Sequence, residues 1–325
     1  MTNAGEAALP EAHPDPAGRR PRVSIGLPVY NGARFVAQAI ESILGQTFTD
    51  FELVISDNAS TDQTPQICER YAASDPRVRY SRNAKNIGGA NNTNLTFRLS
   101  RGEYFRWAAH DDVCDKALLE SCVDVLDRNP DVVLCYPDIV QIDENGNRLP
   151  QQSPPADSGT TPFSRFRFLS SRRHACEAVY GLMRASVLRR IELIGNFTDA
   201  DRVLLCEIGF HGALHRIPRA LFYKRRHTGN QYKDWRGRMA WYRPELAETG
   251  SLTFPFWSQY HAYFRAVHRA PMSISEKAMC DLWLMGPWLA RFGRGMAMDV
   301  VVAAQMLARS KDARKKKYGD VDGWA

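Results

Sequence analysis

Three polar clusters close short apolar runs, and their residue types suit the handling of an anionic ligand. They are Pro28-Val29-Tyr30-Asn31-Gly32, Asp57-Asn58-Ala59-Ser60-Thr61-Asp62 and His110-Asp111-Asp112. Adjacent carboxylates such as Asp111 and Asp112 repel in a dry site unless positive charge compensates them. Mg²⁺ or Mn²⁺ would do so, because each takes oxygen ligands and keeps positions open for phosphate oxygens. Each cluster also has a plainer reading. Asp-Asp serves as a helix cap, Asp57 and Asp62 suit a turn, and Tyr30-Asn31-Gly32 suits a strand-to-helix turn. All three must be plain at once for the site to vanish.

The elements around them decide whether they meet. Residues 23–28, 51–55, 78–80, 104–108 and 132–136 read as short, mostly buried strands. Between them, residues 33–44, 64–73, 91–99 and 116–126 repeat apolar side chains at the helical period. Residues 139–142 before Asn145-Gly146 read as one arm of a hairpin. Alternation of this kind implies an α/β fold, a mostly parallel central sheet flanked by helices. In open α/β sheets ligands bind outside the carboxyl ends of the strands, so the clusters should converge on one cleft. Further on, residues 201–211 read as a helix, then 213–217 and 221–225 as strands. Residues 256–310 look entirely helical, and 311–317 form a basic, frayed end. The expected organisation is a disordered leader over 1–22, a catalytic domain over 23–230 and a helical region with a basic tail over 231–325.

Composition narrows the class. The 325 residues are 44% apolar and 24% charged, which excludes collagen, low-complexity disorder and small disulfide scaffolds. Residues 282–290 are interrupted by Pro287 and fall short of the ~20 apolar residues of a spanning helix. Seven cysteines form no C-x-x-C pair and no secretion signal precedes them, so a reducing cytoplasm is expected and structural zinc is not. The glycine fingerprint of dinucleotide enzymes and the G-K-[ST] phosphate loop are absent.

The residues resemble the family 2 glycosyltransferases. The likeness rests on Pro-Val-Tyr-Asn-Gly after the first strand and Ile-Ser-Asp-Asn-Ala-Ser-Thr-Asp-Gln-Thr after the second. Asn-Ile-Gly-Gly-Ala at 86–90 and Trp-Ala-Ala-His-Asp-Asp at 107–112 extend it. The resemblance spans about residues 23–230 and implies the GT-A fold and inverting transfer from a nucleoside-diphosphate sugar to an acceptor hydroxyl. It implies that Pro28, Tyr30, Asn31 and Asp57 line the nucleoside, with Asp57 at the base. Asn86, Gly88 and Gly89 then approach the ribose or sugar. The family's D-x-D motif falls on Ala109-His110-Asp111, followed by Asp112. Its first acid is therefore missing, and Asp111, Asp112 and His227 become the candidate ligands of Mn²⁺ or Mg²⁺, with Asp111 also at the ribose. Asp201 matches the general base, with Ala200 where the family's neighbouring acid stands. An N-cap reading of Asp201 stays open, Asp199 is a rival two residues away, and His227 could equally be a surface histidine. Arg226 is expected near the diphosphate.

A carboxylate at position 57 can accept the imide N–H of uracil or thymine, so UDP or dTDP is the expected leaving nucleotide. The acceptor hydroxyl is not named by any motif; residues 153–174 and the helical C-terminus are its candidate binding segments. From residue 201 onward 21 basic side chains face 11 acidic ones. That excess points to a solvated surface or to an anionic membrane face contacted from one side, with Trp257, Trp283 and Trp288 as anchors. A helical cap on the catalytic domain is the competing reading. Nucleic acid is not expected, because no recognition signature accompanies the charge. Two other readings remain. A sugar-1-phosphate nucleotidyltransferase would want a Gly- and Lys/Arg-rich loop in place of Pro28-Val29-Tyr30-Asn31. A non-catalytic basic module would not need Asp111, Asp112 and Asp201.

Overall fold

The computed structural model describes residues 20–150, 159–171, 176–228 and 254–318. Strands β1 (Val23–Val29), β2 (Phe51–Asp57), β3 (Val78–Arg82) and β4 (Tyr104–Trp107) pair in parallel in the order β3-β2-β1-β4. Beyond β4 the sheet turns mixed. Short β7 (Leu182–Arg184) lies antiparallel between β4 and β6 (Val132–Ile142). Strand β8 (Ala213–Arg225) runs parallel to β6, and the two-residue β5 (Val113–Cys114) closes the edge antiparallel to β8. Among the described residues the sheet has eight strands. Strands β1 and β2 are buried on both faces because helices cover both sides of the sheet, with Ser24, Glu52 and Ser56 among the buried residues.

Helices α1 (Val36–Leu44), α2 (Thr64–Ser74), α3 (Gly89–Arg98) and α4 (Leu118–Arg128) connect the strands. Helix α1 buries Val36, Ala39, Ile40 and Ile43, and α4 buries Leu118, Leu119, Cys122, Val123 and Leu126, a helical stripe in each case. A second core lies beneath α5 (Pro162–Ser170), α6 (Ala185–Leu188) and α7 (Ala200–His211). There α7 is buried almost all round, enclosed by the sheet, by α5 and by α8 (Pro255–Arg269). The chain continues through α9 (Ile274–Trp283), a π turn at Leu284–Trp288 and α10 (Leu289–Tyr318).

Several details differ from the sequence expectation. The two strands expected on either side of Pro137 are the single strand β6, with a register shift at Pro137–Asp138, because the irregularity is absorbed as a bulge. Residues 213–217 and 221–225 likewise form one strand, β8. The turn at Asn145-Gly146 carries only one bridge, Ile142 to Arg148. Helix α10 runs to Tyr318, so the basic segment expected to fray is helical in its backbone. The leader expected before residue 20, the segments 153–158 and 172–174 of the expected acceptor region, and residues 231–253 lie outside the described residues.

Candidate active site

The loops after β1 and β2 lock together by backbone-to-side-chain bonds. Asn31 donates its N–H to Ser60 Oγ at 2.9 Å and accepts the Thr61 N–H on Oδ1 at 2.8 Å. Gly32 N–H reaches Thr64 Oγ1 at 2.9 Å, and Ala33 N–H reaches Asp62 Oδ2 at 3.1 Å. Against the upward push of burial, bonds from Thr64 and from the Ala33 amide hold the Asp62 carboxyl below its usual range. Gly32 leaves no room for a side chain, since a Cβ there would meet the His110 ring at 2.5 Å. That contact seats the third cluster against the first.

Asp57 ends β2 fully buried. Its Oδ1 accepts the Ser60 N–H at 2.8 Å and its Oδ2 the Tyr80 hydroxyl at 2.9 Å. Next to it, Asn58 Nδ2 donates to Asn86 Oδ1 at 2.8 Å while its Oδ1 accepts the Ile87 N–H at 2.9 Å. Asn86 Oδ1 also takes the Gly88 N–H at 2.9 Å. Gly88, at φ +86°, then turns the chain into α3. Asn58 and the tie to the 86–88 loop were not singled out from sequence; the residue type looked like turn filler, and its partner lies 28 positions away.

The three non-glycine residues with positive φ among those described are Asn31, Ala59 and Asp199. They sit in the loops after β1 and β2 and before α7. Left-handed backbone costs energy in a residue with a Cβ, and such positions concentrate at functional loops.

The third cluster divides its two acids. Asp111 Oδ2 stands 2.9 Å from His227 Nε2, and the His227 ring tilts against Phe35 with centroids 4.9 Å apart. Asp112 turns to the strand instead, where its Oδ1 accepts the Arg225 backbone N–H at 2.8 Å. Burial, reinforced by the Asp111 charge, pushes the Asp112 carboxyl up to about 7. The expectation that Asp111, Asp112 and His227 converge as three ligands is therefore corrected to a pair. Among the described residues no group of three or more His, Cys, Asp and Glu side chains is arranged to hold a metal. One carboxylate oxygen and one imidazole nitrogen still fit a divalent cation such as Mn²⁺ that completes its shell with phosphate oxygens. Burial pulls His110 below its usual range, so it stands neutral beside the pair.

Arg225 ends β8, and Arg226 follows it just outside the strand. The buried Arg225 guanidinium binds the Asp111 carbonyl at 2.9 Å, the Glu144 carbonyl at 2.9 Å and Gln38 Oε1 at 2.7 Å, and lies over Phe35. It fastens the 111–112 turn to α1 and the 143–144 turn. Arg226 is joined to Gln141 Oε1 at 3.2 Å, on the exposed side. Arg226, expected near the diphosphate, is joined here to Gln141, while His227 turns to Asp111.

Asp201 lies in the first turn of α7, with its Oδ1 accepting the Arg202 N–H at 2.8 Å. Burial and the charge of Asp199 push its carboxyl above the usual range, opposed by the bonds from Arg202 and Cys176. Asp199, not Asp201, is the N-cap. The link between the two acidic regions is Tyr180, unremarked in the sequence. Burial and the charges of Asp112, Asp111 and Asp201 push its phenol well above the usual range. That ring stacks on Phe222 with centroids 5.3 Å apart, and Lys224 Nζ sits 5.8 Å from its centre. Pro28 is half-buried at the end of β1, and Tyr30 is 45% exposed beyond it.

A parallel β3-β2-β1-β4 half-sheet, continued by mixed strands and bearing acids and asparagines at its strand ends, is the GT-A architecture. Solved structures agree on the fold. A TarS fragment from S. aureus, residues 1–349 in complex with UDP, superposes with a TM-score of 0.60 at 17% identity, over 83% of this chain and 72% of that one. The mannosyltransferase PcManGT from Pyrobaculum calidifontis, in complex with GDP-Man and Mn²⁺, gives 0.50 at 18% identity, over 95% and 90%. The sequence pattern of glycosyl transferase family 2 matches residues 24–192, just over half of the chain, and the protein belongs to that family. Chondroitin synthase of Escherichia coli is 38% identical over 132 residues, which are 40% of this chain and 19% of that protein. The chain therefore matches only about a fifth of that relative's length.

Proposed function

We propose that the protein inverts the anomeric centre of a sugar as it moves it from a nucleoside diphosphate to an acceptor hydroxyl, in bacterial glycan or glycoconjugate synthesis. The observation that carries this reading is the Asp111–His227 pair, 2.9 Å apart at the carboxyl end of the parallel strands in a family 2 chain. The nucleoside lies along Pro28, Tyr30 and Asn31, with the base toward Asp57 and the ribose toward Asn86, Gly88 and Asp111. UDP or dTDP is the favoured leaving group. Support for a nucleotide-sugar donor comes from the neighbours: TarS is solved with UDP-GlcNAc, and PcManGT with GDP-Man and Mn²⁺.

In this reading Asp111 and His227 hold a divalent cation, Mn²⁺ or Mg²⁺, which when bound neutralises charge on the diphosphate. Asp201 accepts the proton of the acceptor hydroxyl as its oxygen forms a bond to the anomeric carbon. The bond from that carbon to the diphosphate breaks on the opposite face, and its electron pair leaves with the nucleotide. Attack and departure on opposite faces invert the centre in one step. Arg225 keeps the 111–112 turn in place, and Asn58 ties the 86–88 loop to the loop after β2.

The expected organisation, catalytic over 23–230 and helical over 231–325, is part of the proposal, as is action in the cytoplasm at the membrane periphery. Turnover of UDP-, dTDP- and GDP-sugars with Mn²⁺, Mg²⁺ or EDTA tests it. Release of UDP or dTDP that requires the cation is expected. Release from no donor, with the fold intact, would overturn the reading.

A further inference from the structure

The helical stretch from Ile274 through the π turn into α10 is apolar on two opposite faces. Its inner face repeats Cys280, Leu284, Trp288, Phe292 and Met296, all buried against the second core. Trp283 also turns inward, with its indole N–H on Ser170 Oγ at 3.0 Å. Of the three tryptophans expected as anchors, Trp288 and Trp283 therefore serve the cap, and the cap is real. The outer face nevertheless remains apolar. Ile274, Leu282, Met285 and Leu289 follow one another at helical spacing, and the first three are 88%, 65% and 58% exposed. Every exposed residue from Ala278 to Ala290 is apolar. A helix that is apolar all round is normally buried all round, and an exposed patch of this kind marks a contact surface.

Charge selects the partner. Directly after the apolar run stand Arg291 and Arg294, both exposed, and residues 306–318 carry six basic side chains and one acidic in sequence. The acids of the same stretch are turned elsewhere. Asp281 pairs with His268 at 3.3 Å, Asp299 is buried under the Phe256 N–H at 2.8 Å, and Glu276 is half-buried at the start of α9. A second copy of this face would meet the arginines with arginines. Lipid phosphates meet them with anions while acyl chains take the leucines and the methionine. Among the described residues no helix is long and apolar enough to cross a membrane.

We infer that the outer face of the 274–294 stretch lies on an anionic lipid bilayer, with Leu282, Met285 and Leu289 inserted and Arg291 and Arg294 at the headgroups. The inference deepens the peripheral placement proposed above and names its surface; it does not depend on the sugar-transfer chemistry. The test is flotation of the full chain with phosphatidylcholine vesicles, with and without phosphatidylglycerol, at low and high salt. Binding that needs the anionic lipid and falls with salt is expected. The double variant Leu282→Glu, Met285→Glu should lose roughly tenfold or more of it, and Arg291→Glu, Arg294→Glu should lose the dependence on phosphatidylglycerol. Both pairs are exposed, and an unchanged thermal midpoint checks the fold. Absence of flotation by the native chain overturns the inference. Flotation unaffected by the Leu282 and Met285 changes overturns this face while leaving peripheral binding standing. A dimer in sedimentation velocity that the same changes dissociate, with no vesicle binding, assigns the face to self-association and overturns it too. Nucleotide binding, read separately, shows whether the glycosyltransferase site is intact in each case.

Discussion

Asp111 Oδ2 and His227 Nε2 lie 2.9 Å apart although 116 positions separate them, and both side chains are about nine-tenths buried. The contact depends on two turns that Arg225 holds in register, through the Asp111 carbonyl on one side and the Glu144 carbonyl on the other. A carboxylate and an imidazole placed in this way can share a cation whose remaining positions go to phosphate oxygens.

Asp111→Ala and His227→Ala should therefore each lower donor turnover by about 10²-fold or more, with the chain still folded. Asp112→Asn should behave differently. It keeps an oxygen for the Arg225 N–H, so its effect on turnover should be the smallest of the three. Turnover at increasing Mn²⁺ checks this, since loss of a ligand raises the metal concentration needed. Full turnover of the Asp111 and His227 variants in EDTA would remove the metal from the proposal.

Tyr80 makes a separate prediction about the donor base. Its hydroxyl donates to Asp57 Oδ2 while the Ser60 amide holds Oδ1, so the carboxylate has one fixed orientation. Tyr80→Phe leaves that oxygen only the Arg82 guanidinium, 3.6 Å away, and removes a hydrogen bond to a buried charge, worth about 1.5–3 kcal/mol. Donor KM should rise roughly tenfold or more, with kcat less affected. Competition among UDP, dTDP and GDP completes the test. UDP or dTDP should compete best, and a clear preference for GDP would contradict a pyrimidine at Asp57.

Glu207 connects pH to stability far from the chemistry. It is buried on α7 beneath Arg269 of α8, at 2.5 Å, and receives the Glu192 N–H at 2.9 Å. Burial nevertheless raises its carboxyl to about 7. The unfolded chain releases that proton near ~4.3. The folded state thus binds more protons between about 4.3 and 7, so this group's contribution to stability falls as pH rises through that window and is flat above it. Glu207→Gln should remove the slope, on the order of 4 kcal/mol across the window. Urea midpoints at several pH values would show it, and an unchanged slope would sink the assignment.

The sequence carried the strand-and-helix alternation and the three polar clusters because both are local patterns: apolar period, and turn residues at strand ends. It could not show which acid of a neighbouring pair faces the site. Asp111 and Asp112 are indistinguishable until β5 and β8 pair, which directs Asp112 to the Arg225 amide. Likewise nothing local shows that Arg226 meets Gln141, 85 positions away, a contact made only once β6 and β8 lie side by side. Tyr180 gave no signal because it belongs to no motif; its stacking on Phe222 and its contact with Lys224 arise from tertiary packing. In the C-terminal helices, inward cap and outward contact were set against each other, whereas one stretch of helix presents both faces.

The choice of catalytic base rests on two acids two residues apart. Asp201 stands in the first turn of α7, and Asp199 occupies the N-cap position in a left-handed conformation at φ +62°, without a side-chain capping bond. An ordinary Asp, near ~3.9, would be a weak base at neutral pH. Asp201 departs from that, because burial and the nearby Asp199 charge both raise it. A raised carboxylate is the better proton acceptor so long as it remains ionised at the working pH. Asp201→Asn should lower kcat by about 10²–10⁴-fold while nucleotide affinity holds. The native pH profile should show an acid limb above the ordinary Asp range. Asp199→Asn takes away a negative neighbour, so that limb should move to lower pH with kcat on the plateau largely kept. A dead Asp199 variant beside an active Asp201 variant would transfer the role to Asp199, and turnover retained by both would place the base outside this helix.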